Sequence, residues 1–309
     1  IQHFQDPSFS GLLMNRLALG WNMAGLSPSD DLDAFRQDSR SPGDRSVIKE
    51  MRESGSQTAR ERVLDLLDDG SFVEVDAFVR HRSGDHGMYM HTPLGDGVVA
   101  GHGMLDGRRV ACFSQDFSVF SGTMGEMHAK KISKVVEFAE KARIPIIGIW
   151  DGDGQRAHEG VTSLGPNGDL LDNLVSCSGK VPMISIILGT VSGTSALAAG
   201  LSDFVILGKQ RGRMFMRSPY VIPEIISGEV DEDTLGGANH HASRSGVACL
   251  VSDSERGAFD MVAEILSHMP DHTMSEAPTL DSGDKWDRKC KGMGKLVPQD
   301  SDRPYDMRG

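Results

Sequence analysis

Paired cysteines are missing from this sequence. Its four cysteines are Cys112, Cys177, Cys249 and Cys290, and no two form a C-x-x-C motif. Three of them sit in apolar runs. This excludes a disulfide framework or a zinc ribbon as the organising device and reads as reduced core thiols in a reducing compartment. Positive charge is scarce as well. Lys and Arg number 32 against 44 Asp and Glu, a net charge of −12. That balance argues against nonspecific binding to nucleic acid or to an anionic membrane. No apolar run is long enough to span a bilayer. The start, "IQHFQDPSFSGLLMN", has no charged n-region and does not read as a signal peptide. Without an initiator Met, it reads as a processed or incomplete chain. The nucleotide signatures G-x-G-x-x-G and the P-loop are absent. So is G-x-S-x-G: in Gly189-Thr-Val-Ser-Gly the serine stands one place late for a nucleophile elbow.

What is present is a chain of 309 residues, enough to bury a large core. Residues 1–57 are weakly patterned, and "SPSDDLDAF" and "SPGDRS" read as turns and loops. Thr58, with Glu61 three residues on, has capping-box spacing for a helix that Gly70 stops. The runs "VVAGHGML" and "RRVACFSQD" flank Asp106-Gly107, a hairpin signal. A helix is expected over about 124–142, with His128, Ile132, Val135, Val136 and Ala139 on one face. It feeds the buried strand "IPIIGIW". The unit then recurs. Leu170, Leu171, Leu174 and Val175 mark one face of a helix, "VPMISIILG" and "DFVILG" are buried strands, and "TSALAAG" begins a helix of small residues. "RMFMRSP" reads as a buried strand, and "GAFDMVAEILSHMP" as an amphipathic helix ended by Pro270. Short, near-continuous apolar strands alternating with helices define an α/β layer architecture. From residue 271 the chain is polar and reads as a linker or tail.

Two loops follow strands and precede helices: "DGDGQRAHEG" after Trp150 and "GTVSGTSALAAG" after Leu188. Glycines let backbone approach a ligand, and the next helix presents free N–H groups. Such a site holds a phosphate or an oxyanion, such as the charge that develops on a thioester oxygen when an enolate forms. Either loop can equally be only a tight turn. Lys130 and Lys131 are candidates for phosphate contacts or simply solvated helix lysines. His81, His86 and His91 share a loop, but no carboxylate or Cys pattern supports a metal there.

Ordered blocks carry a resemblance. "TARERVLDLLDDGSFVE", "GDGVVAGHGMLDGRRVACFSQDFSVFSGTMGEMHAKKI", "IPIIGIWDGDGQRAHEGVTSL", "SGKVPMISIILGTVSGTSALAAGLSDFVIL" and "LGGANHHASRSGVA" follow one another as in the carboxyltransferase (β) subunit of biotin-dependent acyl-CoA carboxylases, the propionyl-CoA carboxylase β-like group. The likeness runs from about Thr58 to the end and is to the N-terminal half only. It implies a crotonase-like (ClpP/crotonase) fold, a spiral of ββα units. It also implies an N-terminal extension over 1–57, an acyl-CoA-binding domain over 58–270 and a linker or tail over 271–309.

The implied activity moves a carboxyl group between carboxybiotin and the α carbon of an acyl-CoA. Acyl-CoA is the substrate, and biotin rides on a partner carrier. The implied partners are a C-terminal-half carboxyltransferase chain, a biotin carrier protein and biotin carboxylase, in a hetero-oligomer of the cytoplasm or the mitochondrial matrix. No side-chain base and no metal are required. The family's Asp-Ser-Gly-Gly-Ala-Arg is Asp151-Gly152-Asp153-Gly154-Gln155-Arg156 here. The backbone N–H groups of Gly154 and Gln155 therefore match an oxyanion hole. Gly152, Arg156, Gly193, Thr194 and Ser195 fall on the substrate-binding positions. Asp153 is an addition, expected to face solvent or to pair with Arg156. The family's Gly-Gly-Ala is Gly193-Thr194-Ser195, and its later tyrosine is Leu197. A β-branched Thr does not readily take a glycine's positive φ. His241 matches a family histidine, with a structural or a catalytic role. Two other readings stand beside this one. One is a non-catalytic CoA-ester-binding or structural subunit. The other is a stand-alone crotonase-type enzyme using Asp153 or Glu159 as acid or base.

Overall fold

Helix α1 (Pro28–Arg40) and helix α2 (Arg45–Glu53) occupy the stretch expected to be turns and loops. The computed structural model describes residues 28–218, 231–279, 281–290 and 292–305, with side chains from residue 32 on; the segment 1–15 tested for a signal peptide lies outside the described residues. Asp44 starts α2 by accepting the Ser46 N–H at 2.7 Å, a cap signal hidden by the flanking Pro and Gly. Helix α3 (Ala59–Leu66) starts as its sequence implies. The Thr58 side chain accepts the Glu61 N–H, and the Glu61 carboxylate takes the Thr58 N–H at 2.8 Å.

Strand β1 (Val73–Glu74) pairs with β2 (Val98–Leu105), which turns back into β3 (Arg108–Gln115). The two-residue turn places Asp106 at φ 49° and Gly107 at φ 75°, the left-handed pair that matches strand twist. Then come helix α4 (Glu126–Ala142), β4 (Ile146–Trp150), α5 (Leu164–Cys177), β5 (Met183–Ile187), β6 (Thr190–Ser192), α6 (Gly193–Gly200), β7 (Phe204–Gly208), β8 (Arg213–Phe215), β9 (Leu250–Ser252) and α7 (Glu255–His268). The main sheet runs β1-β2-β3-β4-β5-β7-β9, antiparallel to β3 and parallel from there on. Strands β6 and β8 form a small parallel pair.

The continuous apolar strands are explained by burial of both sheet faces. Ile146 and Trp150 pack into the core that holds Ile132, Val136 and Leu170, whereas Ile147 and Ile149 pack into the one that holds Val63, Phe259 and Val262. Four expectations are corrected. Val175 faces outward from α5, because the buried stripe runs through Leu170, Leu174 and Cys177. The strand expected over "RMFMRSP" ends at Phe215, leaving Met216 exposed. Cys249 and Cys290 are exposed, so the core-thiol reading holds for Cys112 and Cys177. Lys131 is neither solvated nor open to a phosphate: its Nζ is buried, donates to the Val98 carbonyl at 2.7 Å and lies 3.8 Å from Glu74. Lys130 does lie on the surface, paired with Glu126 at 2.7 Å.

Burial pulls the Lys131 ammonium down to about 8 from 10.5, against the pull of Glu74. The folded state therefore gives up this proton before the unfolded state does. Below about pH 8 both states carry the charge, and its burial cost is fully present. Between 8 and 10.5 the unfolded chain holds the extra proton, so stability rises with pH, by about 3 kcal/mol from this group. Lys131→Met is expected to remove that rise. Equal pH slopes for parent and variant in urea titrations between pH 7.5 and 10.5 would refute it.

Candidate functional site

Three loops meet at the carboxyl ends of neighbouring strands, the end of a parallel sheet where ligands are usually held. They are 116–125 after β3, 151–163 after β4, and 188–195 around β6. The first two touch through backbone. A Cβ on Gly122 would stand 2.1 Å from the Asp151 carbonyl oxygen, and one on Gly152 would stand 2.1 Å from that of Gly122. Met124 then pairs with the second loop, giving its N–H to Gly154 at 2.8 Å and accepting that of Arg156 at 3.1 Å. The third loop closes on Asp151: a Cβ on Gly189 would lie 1.7 Å from its Oδ1.

A chain of buried polar groups underlies these loops. Arg62 donates to Asp151 Oδ2 at 2.7 Å, and to Glu255 at 2.7 and 3.2 Å. The Asp151 N–H donates to Gln115 Oε1 at 3.2 Å, and the Gln115 amide donates to His128 Nε2 at 3.3 Å. His128 Nδ1 then donates to the Asp96 carbonyl at 3.0 Å. Burial, helped by the Arg156 charge, holds His128 well below the usual imidazole range. A neutral ring with one donor and one acceptor nitrogen suits both partners. None of Arg62, Asp96, Gln115 and His128 stood among the site residues expected from the sequence. Their neighbours in sequence carry no signal of it, since each bond joins distant segments.

Arg156 belongs to this scaffold, which corrects its expected role as a substrate ligand. Its guanidinium is fully buried and donates to Asp96 at 2.6 Å, to Glu159 at 2.8 Å and to the Thr123 carbonyl at 3.0 Å. It also lies 4.7 Å from the Phe120 ring centroid. Both terminal nitrogens are spent on internal acceptors, and the buried Nε has no partner among the described residues, so the guanidinium is held inside the scaffold. Burial raises the Asp96 carboxyl despite the pull of Arg156. Glu159 is committed too, accepting the Glu126 N–H at 2.6 Å at the start of α4. It is a helix cap and an ion-pair partner, so the reading of Glu159 as an acid or base is set aside.

The remaining expected residues lie on the second and third loops. Gly154 takes φ 72° and spends its N–H on the Gly152 carbonyl at 2.9 Å. The Gln155 N–H faces away from the bridge to Met124 and finds no acceptor among the described residues. Its side chain holds Ser163 at 2.9 Å. On the third loop, Gly193 supplies the positive φ, 56°. Thr194 follows it inside α6, so the conflict expected at a β-branched residue does not arise. Ser195 is buried, and its Oγ has no hydrogen-bond partner among the described residues. Asp153 is half-buried and does not pair with Arg156. It accepts the Ser192 hydroxyl at 2.6 Å and the Ser218 hydroxyl at 2.9 Å.

Two of the histidines singled out in the sequence, His81 and His241, are hydrogen-bonded within the chain. His81 is buried with Nε2 on the His91 carbonyl at 2.6 Å. His241 bonds Ser245 Oγ and the Met214 carbonyl at 2.7 and 3.0 Å. Among the described residues no cluster of three His, Cys, Asp or Glu side chains is placed to hold a metal. No helix of the described residues is long and apolar enough to cross a membrane.

A mixed sheet with helices on both faces, and glycine loops at two strand–helix junctions, define a crotonase-like fold. Comparison with known proteins gives the family. Residues 50–309 match the carboxyl transferase domain, and the chain belongs to that family. It is 41% identical over 269 residues to the biotin-dependent acetyl-/propionyl-coenzyme A carboxylase beta5 subunit of Mycobacterium leprae, covering 85% of this chain and 49% of that one. It is 39% identical over 266 residues to the methylmalonyl-CoA decarboxylase subunit alpha of Veillonella parvula, covering 86% and 52%. Among solved structures, the 12S component of transcarboxylase, with methylmalonyl-coenzyme A and methylmalonic acid bound, superposes with a TM-score of 0.82 at 33% identity, covering 92% of this chain and 56% of that one. The chain spans about half the length of the curated relatives it matches.

Proposed function

We propose that this chain is the acyl-CoA-binding half of a biotin-dependent carboxyltransferase. The observation that carries this reading is a Gln155 N–H without an acceptor among the described residues, on a loop that Asp153 ties to Ser192 at the start of α6, where the first-turn N–H groups have no side-chain cap. Donors set at two junctions suit a thioester oxygen, whose negative charge grows as the α carbon loses its proton. Carboxybiotin on a partner carrier would supply the carboxyl group and take up the α-proton. The residues here then need only bind the ester, orient it and stabilise the enolate oxygen. That agrees with a site whose carboxylates and imidazoles are committed to structure. Gly154 contributes by its φ, which turns the Gln155 N–H outward, and Gly152 by letting the two loops meet.

The partners in this reading are a C-terminal-half carboxyltransferase chain, a biotin carrier protein and biotin carboxylase, in a hetero-oligomer of the cytoplasm or mitochondrial matrix. Val161, Leu164, Leu197 and Met216 support an assembly. All four are large, apolar and exposed, and all lie on elements that carry the loops. The domain limits follow the same reading, with the acyl-CoA unit over 58–270.

Titration calorimetry with acetyl-, propionyl- and a longer acyl-CoA tests the proposal. Binding of at least one ester at micromolar concentration is the expected result. No heat from any ester, with the partner chain present, would overturn it.

A further inference from the structure

Asp153 stands where the resembled loop has glycine, and both its oxygens are engaged. Oδ1 accepts the Ser192 hydroxyl at 2.6 Å and Oδ2 the Ser218 hydroxyl at 2.9 Å. Ser192 occupies the N-cap position of α6, with the extended φ of −137° and ψ of 167° of a cap residue. Serine there ordinarily accepts the N–H of the second or third helical residue, here Thr194 or Ser195. That bond is absent. Donating to a carboxylate leaves the Ser192 oxygen its lone pairs, so the missing cap reflects direction: the strong bond to Asp153 holds the side chain turned away from the helix N–H groups. A second, independent feature marks the same place. Ser195, in the first turn, is 0% exposed, with its Oγ unpartnered among the described residues. A buried hydroxyl left without a partner at an uncapped helix start indicates that something else completes it.

We infer that Asp153 is a positioning residue. It turns the Ser192 hydroxyl off α6 and so leaves the Thr194 N–H at the start of that helix open to a ligand. It also ties the 151–156 turn to β6, which fixes the loop that carries the Gln155 N–H to the start of α6. A Cβ on Gly154 would stand 2.9 Å from Ser192 Oγ, so the turn already lies against β6 at this point. The ligand is an acyl thioester, and that part of the inference rests on the proposed function. With both oxygens accepting hydroxyl hydrogens, the carboxylate is held against the loops rather than aimed at an enolate.

Two readouts on the full-length chain test this. The first needs no ligand. Millisecond hydrogen–deuterium exchange of the segment 190–200 compares the parent, Asp153→Ala and the Asp153→Ala/Ser192→Ala double variant. Freed from Asp153, Ser192 is expected to cap α6 and to slow exchange of the Thr194 amide by about fivefold. The double variant, with no hydroxyl to cap, is expected to exchange like the parent. Equal exchange in parent and Asp153→Ala overturns the inference.

The second readout is the ratio of propionyl-CoA to free CoA affinity. Asp153→Ala is expected to weaken propionyl-CoA by about tenfold and to leave free CoA unchanged. Asp153→Asn can still accept from one serine and donate to the other, and is expected to stay within about twofold of the parent. An equal loss for both ligands would show a merely structural role and overturn the inference. If exchange responds as expected but the parent binds no CoA ester, the latch stands and the proposed function falls.

Discussion

Replacing Gln155 by proline is expected to lower carboxyl transfer by about 10²–10³-fold, the usual cost of one oxyanion donor. The substitution removes one hydrogen and no existing hydrogen bond of the backbone, because the Gln155 N–H has no acceptor among the described residues. The bridge to Met124 uses the Gly154 carbonyl and the Arg156 N–H instead. Gln155→Ala is the matched control. It keeps the N–H, loses only the side-chain bond to Ser163, and is expected to stay within a few-fold of the parent. The assay is transfer to propionyl-CoA with the second-half chain and carboxylated carrier supplied, read beside a urea midpoint for each variant. A proline variant that keeps the parent rate would remove the Gln155 N–H from the site. An alanine variant as slow as the proline one would assign the effect to the side chain.

Arg62→Ala is expected to destabilise the fold by about 3–5 kcal/mol, the cost of stripping one partner from a buried ion pair. Arg62 and Asp151 are both fully buried, 2.7 Å apart, and Glu255 is bound from the other side at 2.7 Å. Without the guanidinium, Asp151 must stay charged without its partner or take up a proton at a cost. Its Oδ1 already has no hydrogen-bond partner among the described residues. Arg62→Met with Asp151→Asn removes both charges, and the double variant is expected to lose markedly less than the sum of the two single ones. Urea denaturation of the four proteins makes the cycle. Additive losses would show that the pair is not coupled. The same variants are expected to loosen the 151–156 turn, since Asp151 joins α3, β4 and Gly189.

These two experiments divide the site by what each part depends on. The Gln155 donor depends on local turn geometry, which glycines at 152 and 154 allow. The Arg62 network depends on residues far apart in the chain, and it sets where the turn sits. A donor placed by a turn still needs a platform, and the platform here is ionic and buried.

The capping box at Thr58 and Glu61, the Asp106-Gly107 turn and the apolar strands were legible in the amino-acid sequence. Each depends on interactions within a few residues, so a short window contains the whole cause. The two glycine loops after β4 and β5 were legible for the same reason, and the ordered blocks around them carried the family. The three-residue strands β6 and β9 were not, because so short a segment has no periodicity of its own. Nor were the helices before residue 54, whose caps are masked by residues typical of turns.

The charged groups were decided by tertiary structure alone. Arg156 and Asp153 sit three places apart in one polar loop, and nothing local says which is buried. Asp96, 60 residues away, takes Arg156 inward, and Ser192, 39 residues away, takes Asp153 across to β6. Lys131 turns inward on α4 because the carbonyl of Val98, 33 residues back, awaits its ammonium. Periodicity and turn chemistry act between neighbours in the chain, and a sequence displays neighbours. A buried charge answers to whichever opposite charge or dipole the fold brings within about 3 Å, and only the folded chain has that list.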